Sequence, residues 1–188
     1  MYNLKRDYIK KNEYSRSGKY LLSVKGLVIH WTANPKVSAQ KNRNYFNNLP
    51  VLNKRKSKPV FASAQEIIDS NEIIQALPLN EVAYHISFRK TKKKMLKKFI
   101  VPNYYTVGLE VVPEDETGRM SSGTYNNLIY RTFDLLKYFK LSTDDLYLHN
   151  DFTGKKCHKW FVDNPEDWKK FKNKIQRWLD EKNSSKRN

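Results

Sequence analysis

Gly26-Leu27-Val28-Ile29-His30-Trp31 is the stretch on which the fold turns. Its apolar, β-branched run lacks polar alternation, the pattern of a strand covered on both faces in the middle of a sheet. Asn34-Pro35 ends it. Two more apolar strands are expected downstream: Val107–Val112, interrupted only by Glu110, and Leu146-Tyr147-Leu148-His149. Phe61–Ile68 and Glu72–Ala76 predict a hairpin around Asp69-Ser70-Asn71. Ser38 is a cap for a short helix reaching about Asn47, anchored by Tyr45 and Phe46. Tyr125, Leu128, Ile129, Thr132, Phe133, Leu136 and Phe139 recur at helical spacing, so one face of that helix must be buried. A last helix opens at Asn164-Pro165, with Glu166 and Asp167 favouring its positive end. Strands alternating with helices imply the α/β class: one domain with a mixed, mostly parallel central sheet, flanking helices and one antiparallel hairpin. The expected organisation is an N-terminal arm over 1–23, a single domain over 24–181 and a flexible basic tail over 182–188.

The 188 residues carry a net charge of +17, are 39% hydrophobic, and include six glycines and seven prolines. That composition excludes collagen-like, low-complexity and fully disordered chains. No apolar run is long enough to span a bilayer, and the lysine-rich start has no apolar stretch of the signal-peptide kind. The expectation is a protein made in the cytoplasm without a signal peptide, with no membrane insertion. One cysteine, Cys157, excludes an internal disulfide framework. The positive surplus attracts polyanions, whether nucleic acid, anionic wall polymers or acidic lipids, and charge alone does not choose among them. Arg89 and six lysines between Lys90 and Lys98 predict an exposed loop or short basic helix.

His30 and His149 each close an apolar strand, and ligands in open α/β sheets gather at the carboxyl ends of strands. Eight residues beyond His149 comes Cys157, within reach of a loop that folds back. Two imidazoles and a thiolate would hold a tetrahedral zinc with one position left for water, whose pKa falls to about 7. Each residue also has a plainer reading: a lone cysteine as a small buried hydrophobe, a strand-end histidine as a satisfied polar group. Glu110 is costly to bury without a partner or a task. It is either on a solvent-facing side of its strand or a general base facing the metal. Lys155 is one of two adjacent lysines in a basic protein.

Several further stretches, in order along the chain, resemble one family. They are Leu27-Val28-Ile29-His30-Trp31-Thr32-Ala33, Ala62-Ser63-Ala64 with Ile67-Ile68-Asp69, and Glu72-Ile73-Ile74-Gln75. Glu81-Val82-Ala83-Tyr84-His85, Val107-Gly108-Leu109-Glu110 and His149 through Cys157 complete the set. Over about Gly26 to Trp178 the chain resembles the zinc-dependent N-acetylmuramoyl-L-alanine amidases of type 2, which share their fold with peptidoglycan recognition proteins. The resemblance implies Zn2+ held by His30, His149 and Cys157. It also implies Glu110 as acid/base, Lys155 as stabiliser of the oxyanion, and His85 in the substrate groove. It makes 24–181 an amidase catalytic domain of phage endolysin or autolysin type, a monomer acting on bacterial peptidoglycan after release, with anionic wall polymers as a further partner. Gln65-Glu66 stands where relatives often carry histidine or an aromatic residue, which places Gln65 as a substitute groove residue. His85 is followed by Ile86-Ser87 in place of a small pair. His158 stands where proline is common, a spare ligand ranked below Cys157. The rival readings are a non-catalytic peptidoglycan-binding module of the same fold and a basic nucleic-acid-binding protein. Retention of Cys157 argues against the first. The absence of any specific nucleic-acid motif argues against the second.

Overall fold

The computed structural model describes residues 2–184 and holds six strands in one sheet. These are β1 (Leu4–Arg6), β2 (Gly26–Trp31), β3 (Glu66–Ile68), β4 (Ile73–Gln75), β5 (Thr106–Val111) and β6 (Leu146–Leu148). Their spatial order is β1-β4-β3-β5-β2-β6, and every neighbouring pair is parallel except the β3–β4 hairpin. The mixed, mostly parallel α/β class expected from the sequence is what forms. Around the sheet lie α1 (Ala39–Asn47), α2 (Leu49–Asn53), α3 (Lys93–Phe99), α4 (Ser122–Phe139), α5 (His149–Thr153), α6 (Lys159–Asp163) and α7 (Pro165–Ser184). Among the described residues no helix is long and apolar enough to cross a membrane.

The period-2 alternation of strand side chains decides what each face carries. Leu27 and Ile29 of β2, Val107, Leu109 and Val111 of β5, and Leu146 and Leu148 of β6 share one core. The buried face of α4 (Leu128, Ile129, Leu135, Leu136) covers it, with Phe161 and with Phe171 and Ile175 of α7. On the other face Val28 meets Met95, Phe99 and Phe152, while Ile67 and Ile74 meet Ala39, Phe46 and Leu49. His30 lies two residues beyond Val28 and Glu110 two beyond Gly108, so both project from the face opposite α4 and α7.

Several local expectations are corrected. Residues 61–64 do not join the hairpin strand, because the backbone there bonds to loops: Ala62 N to Tyr14 O at 3.0 Å and Ser63 N to Tyr84 O at 3.1 Å. Gln65 instead carries the ladder one residue further, its N donating to Gly108 O of β5 at 3.1 Å and its O accepting from Ala76 N at 2.8 Å. The turn itself is tied by Asp69, whose Oδ1 accepts from Asn71 N and Glu72 N at 2.8 and 2.9 Å. Its Oδ2 accepts from Ala39 N at 2.8 Å and so serves the start of α1. Tyr45 is exposed, leaving Phe46, Ala39 and Asn42 as the anchors of α1. Of the two alternatives for the lysine-rich segment, a short basic helix is what forms, so this expectation needs no correction: Met95 and Phe99 of α3 are buried while Lys93, Lys94 and Lys97 face outward. In the N-terminal region, Leu4–Arg6 enters the sheet beside β4, and Arg16 grips Glu81 through two bonds at 2.7 and 2.8 Å. The last helix carries on through residues 182–184, which were expected in the tail; 185–188 lie outside the described residues.

Candidate metal centre

In a parallel ladder, residues in register project from the same face, and three strands bring their ends together here. His30 of β2 is in register with Glu110 of β5. Ile29 is in register with Leu148 of β6, so the next residue, His149, comes up beside His30. His149 is not the last residue of the strand: it opens α5, a change of direction fixed by Asp151, whose Oδ2 accepts from Leu148 N at 2.8 Å. The chain then turns back at Gly154 (φ 76°). Asn150 N donates to Cys157 O at 2.7 Å, and its side-chain nitrogen donates to Gly154 O and Lys155 O at 3.2 and 3.0 Å. That staple delivers the thiol to the imidazoles.

His30 Nδ1 lies 3.1 Å from His149 Nδ1 and 3.9 Å from Cys157 Sγ, and one donor atom from each of the three lies within 4.8 Å of the others. Zinc–nitrogen bonds of about 2.0–2.1 Å and a zinc–sulfur bond of about 2.3 Å give tetrahedral edges of about 3.3 Å between nitrogens and about 3.6 Å from nitrogen to sulfur. The donor set and its spacing therefore fit a metal ion of that size. All three residues are buried, and burial acts on each. It lowers His30 well below the usual imidazole range and brings His149 to about 4, with the Lys155 charge adding in both cases. Both imidazoles are thus in the neutral state that a cation binds. Burial, reinforced by Glu110, pushes the Cys157 thiol up to about 12, and a bound dication opposes that shift by binding the thiolate.

Glu110 sits on the floor of the same groove. Its Oε2 is buried with no hydrogen-bond partner among the described residues, and burial pushes the carboxyl up to about 8 against the pull of Lys155. Glu110 is half-buried, with Oε2 turned inward and the residue facing the groove beside His30. The two adjacent lysines part company. Lys156 pairs with Asp163 at 2.7 Å, whereas Lys155 lines the groove and acts electrostatically on Glu110, His30, His149 and Cys157.

The remaining expectations fall differently. His85 borders the groove but is only 8% exposed, and both its ring nitrogens are engaged, with His30 Nε2 at 2.9 Å and Thr106 Oγ1 at 3.1 Å. Gln65 is fully buried and is not a groove residue. Its Oε1 accepts from Gly108 N at 2.7 Å and its Nε2 donates to Glu81 O at 2.9 Å, which consumes the carboxamide in holding β5 to a loop. Its neighbour Glu66 points the other way, to a buried ion pair with Arg131 of α4 at 2.5 Å. His158 lies outside the cluster, its ring against Phe161 with centroids 5.0 Å apart. The groove, about 950 Å³, is walled further by Phe61, Tyr84, Arg89 and Lys90, none of which the sequence marked as a groove residue: Arg89 and Lys90 stood out only as part of the basic segment and Tyr84 only within a family-like stretch. Phe61 is 52% exposed and sits between Tyr14 and Tyr84 at 5.3 and 6.0 Å. Nothing in one sequence marks an aromatic residue as exposed, so this wall had no signal.

The chain is similar to known proteins over most of its length. A family model described as N-acetylmuramoyl-L-alanine amidase matches residues 20–160. The N-acetylmuramoyl-L-alanine amidase CwlL of Bacillus licheniformis is 34% identical over 187 residues, covering 99% of this chain and 50% of that protein. The N-acetylmuramoyl-L-alanine amidase BlyA of Bacillus subtilis (strain 168) is 33% identical over 187 residues, covering 95% and 48%. The chain thus spans about half the length of these relatives. Among solved structures, the catalytic domain of XlyA superposes with a TM-score of 0.69 at 22% identity, covering 92% of this chain and 99% of that one. PlyL does so with 0.71 at 16% identity, covering 93% and 97%. At those identities the likeness is one of fold.

Proposed function

Because the chain belongs to the N-acetylmuramoyl-L-alanine amidase family, we propose that it hydrolyses the amide bond between N-acetylmuramic acid and L-alanine in bacterial peptidoglycan, using zinc held by His30, His149 and Cys157. The observation that carries this reading is the row formed across β5, β2 and β6: two neutral imidazoles and a thiol converging within 4.8 Å, with an unpartnered carboxyl in register beside them. Zinc bound there supplies Lewis acidity toward the amide carbonyl and brings the pKa of water down to about 7. The protein's own groups do the rest. Glu110, in its carboxylate form, accepts the proton of the attacking water and returns it to the departing amine nitrogen of L-alanine. The Lys155 ammonium offsets the negative charge that develops on the carbonyl oxygen, and it does so most strongly in a site that excludes water. The half-exposed Phe61 and Tyr84 offer apolar surface for a sugar ring, while Arg89 and Lys90 suit carboxylates of a peptide.

Digestion of purified cell walls tests the bond assignment. New amino groups on L-alanine are expected, no new reducing sugar ends, and arrest of the reaction by a chelator. Reducing ends without new amines would overturn the mechanism, because sugar-bond cleavage generally relies on two flanking carboxylates. A protein that binds walls but releases neither product would instead be a binding module.

The net charge of +17 supports a second contact, with anionic polymers of the wall where the enzyme acts. Lys93, Lys94 and Lys97 are the exposed lysines of α3 suited to it. Lys92 and Lys98 are already engaged, Lys92 with Asn150 O at 2.8 Å and Lys98 with Asp145 at 3.6 Å. Exposed charges are screened beyond about 10 Å at 0.1 M salt, so wall binding should weaken as salt rises. Replacing Lys93, Lys94 and Lys97 with glutamine should flatten that dependence in a pull-down on walls. An unchanged salt profile would show that α3 is not the contact.

A further inference from the structure

Four groups behind the metal centre form a chain whose direction can be deduced. Thr106 Oγ1 lies 2.8 Å from the backbone carbonyl oxygen of Pro102. A carbonyl oxygen has no proton to give, so the Thr106 hydroxyl spends its single hydrogen there. The same Oγ1 lies 3.1 Å from His85 Nε2, and with its proton committed it can only accept. His85 therefore carries its proton on Nε2, and in a neutral imidazole that leaves Nδ1 with a lone pair. His85 Nδ1 is 2.9 Å from His30 Nε2, which must be the donor of that bond. His30 in turn is left with a lone pair on Nδ1, the atom that faces His149 Nδ1 at 3.1 Å and Cys157 Sγ at 3.9 Å.

We infer that the Pro102 carbonyl, acting through Thr106 and His85, holds His30 in the Nε2–H tautomer and so presents Nδ1 to the metal position, which makes His85 and Thr106 positioning residues rather than substrate contacts. The surroundings agree. Thr106 and His30 are essentially inaccessible, so water does not compete for either bond. A Cβ on Gly108 would lie 2.8 Å from His85 Cγ and Nδ1, so a residue without a side chain is what lets the imidazole lie flat against β5. A metal-bound histidine is oriented by the bond its other nitrogen makes, and loss of such a partner typically costs about 10–100-fold in metal affinity. Here the partner is a second neutral histidine, whose own tautomer is set one step further back.

The metal half of this inference rests on the proposed zinc site; the tautomer half does not. Ring-nitrogen NMR on the metal-free, 15N-labelled protein should show His30 and His85 both as Nε2–H tautomers. Thr106→Val keeps the volume but removes the hydroxyl, and should leave His85 and His30 as tautomer mixtures while weakening zinc about tenfold in a chelator competition. Thr106→Ser restores the hydroxyl and should restore both readouts. His30 observed as the Nδ1–H tautomer in the unsubstituted protein would overturn the relay, whatever the zinc affinity. So would Thr106→Val with unchanged tautomers and unchanged zinc affinity. Failure of the unsubstituted protein to bind zinc while both histidines hold the Nε2–H form would overturn the metal assignment and leave the relay standing.

Discussion

Glu110→Gln should cut amidase turnover by roughly 100-fold or more while leaving one zinc per chain, since glutamine keeps the shape of the side chain but cannot accept a proton. The same substitution has a second expected result, on stability. Burial lifts the Glu110 carboxyl from an ordinary 4.5 to about 8 in the folded chain. Between those values the folded protein holds a proton that the unfolded chain has released, so the metal-free protein loses stability as pH rises from about 5 to 8. Glutamine has no charge to bury. The metal-free variant should therefore match the parent near pH 5 and be more stable near pH 8.5, by roughly 1–3 kcal/mol after allowance for the groove's partial solvent access and for Lys155. For a chain of this length that is several degrees in melting temperature. Near-normal turnover would remove Glu110 from the acid/base role. A variant no more stable than the parent at pH 8.5 would show that the carboxylate is not desolvated in the way the groove implies.

Cys157→Ser should abolish stoichiometric zinc at low free metal. In the proposed site the thiolate is one of three protein donors, and its removal should cost more than the about 10–100-fold lost with an outer-shell partner. The metal-free variant should still fold. The loop that carries Cys157 is held by Asn150 through backbone oxygens, and none of those bonds involves the sulfur. Zinc content after dialysis against a weak chelator, with circular dichroism to check folding, separates the two effects. Full zinc occupancy in the folded variant would mean that another donor, with His158 the nearest in sequence, completes the site.

Much of this was legible along the chain because it depends on near neighbours in sequence. The unbroken apolar run before His30 marks a strand covered on both faces, and Val107–Val112 does the same with a single carboxylate that needed a reason to be there. Amphipathic spacing in the helix from Ser122 to Phe139 shows which of its sides is buried. The residue types, two histidines after apolar strand runs, a cysteine eight residues on and a glutamate inside a third apolar run, already suggest metal and acid/base chemistry. Where the reading failed, competing contacts lay far off in sequence. Phe61–Ala64 has strand character, but the backbone of Ala62 and Ser63 finds partners in two loops instead of the hairpin. Gln65 faces Gly108 and Glu81 instead of the groove.

What the sequence by itself determined is local: where the central strands and the long helices run, which face of each is apolar, and which side chains have the chemistry for the site. What only the tertiary structure decided is which atoms meet. His30 and Cys157 are 127 positions apart, and His30 and His149 are 119 apart. Their approach depends on the register of three parallel strands, and register is set by bonds between chains of residues that no sequence window spans together. The choice between Lys155 and Lys156 has the same origin. The two are chemically identical and adjacent, and only the folded chain distinguishes them: Lys156 pairs with Asp163, while Lys155 lines the groove and acts on Glu110.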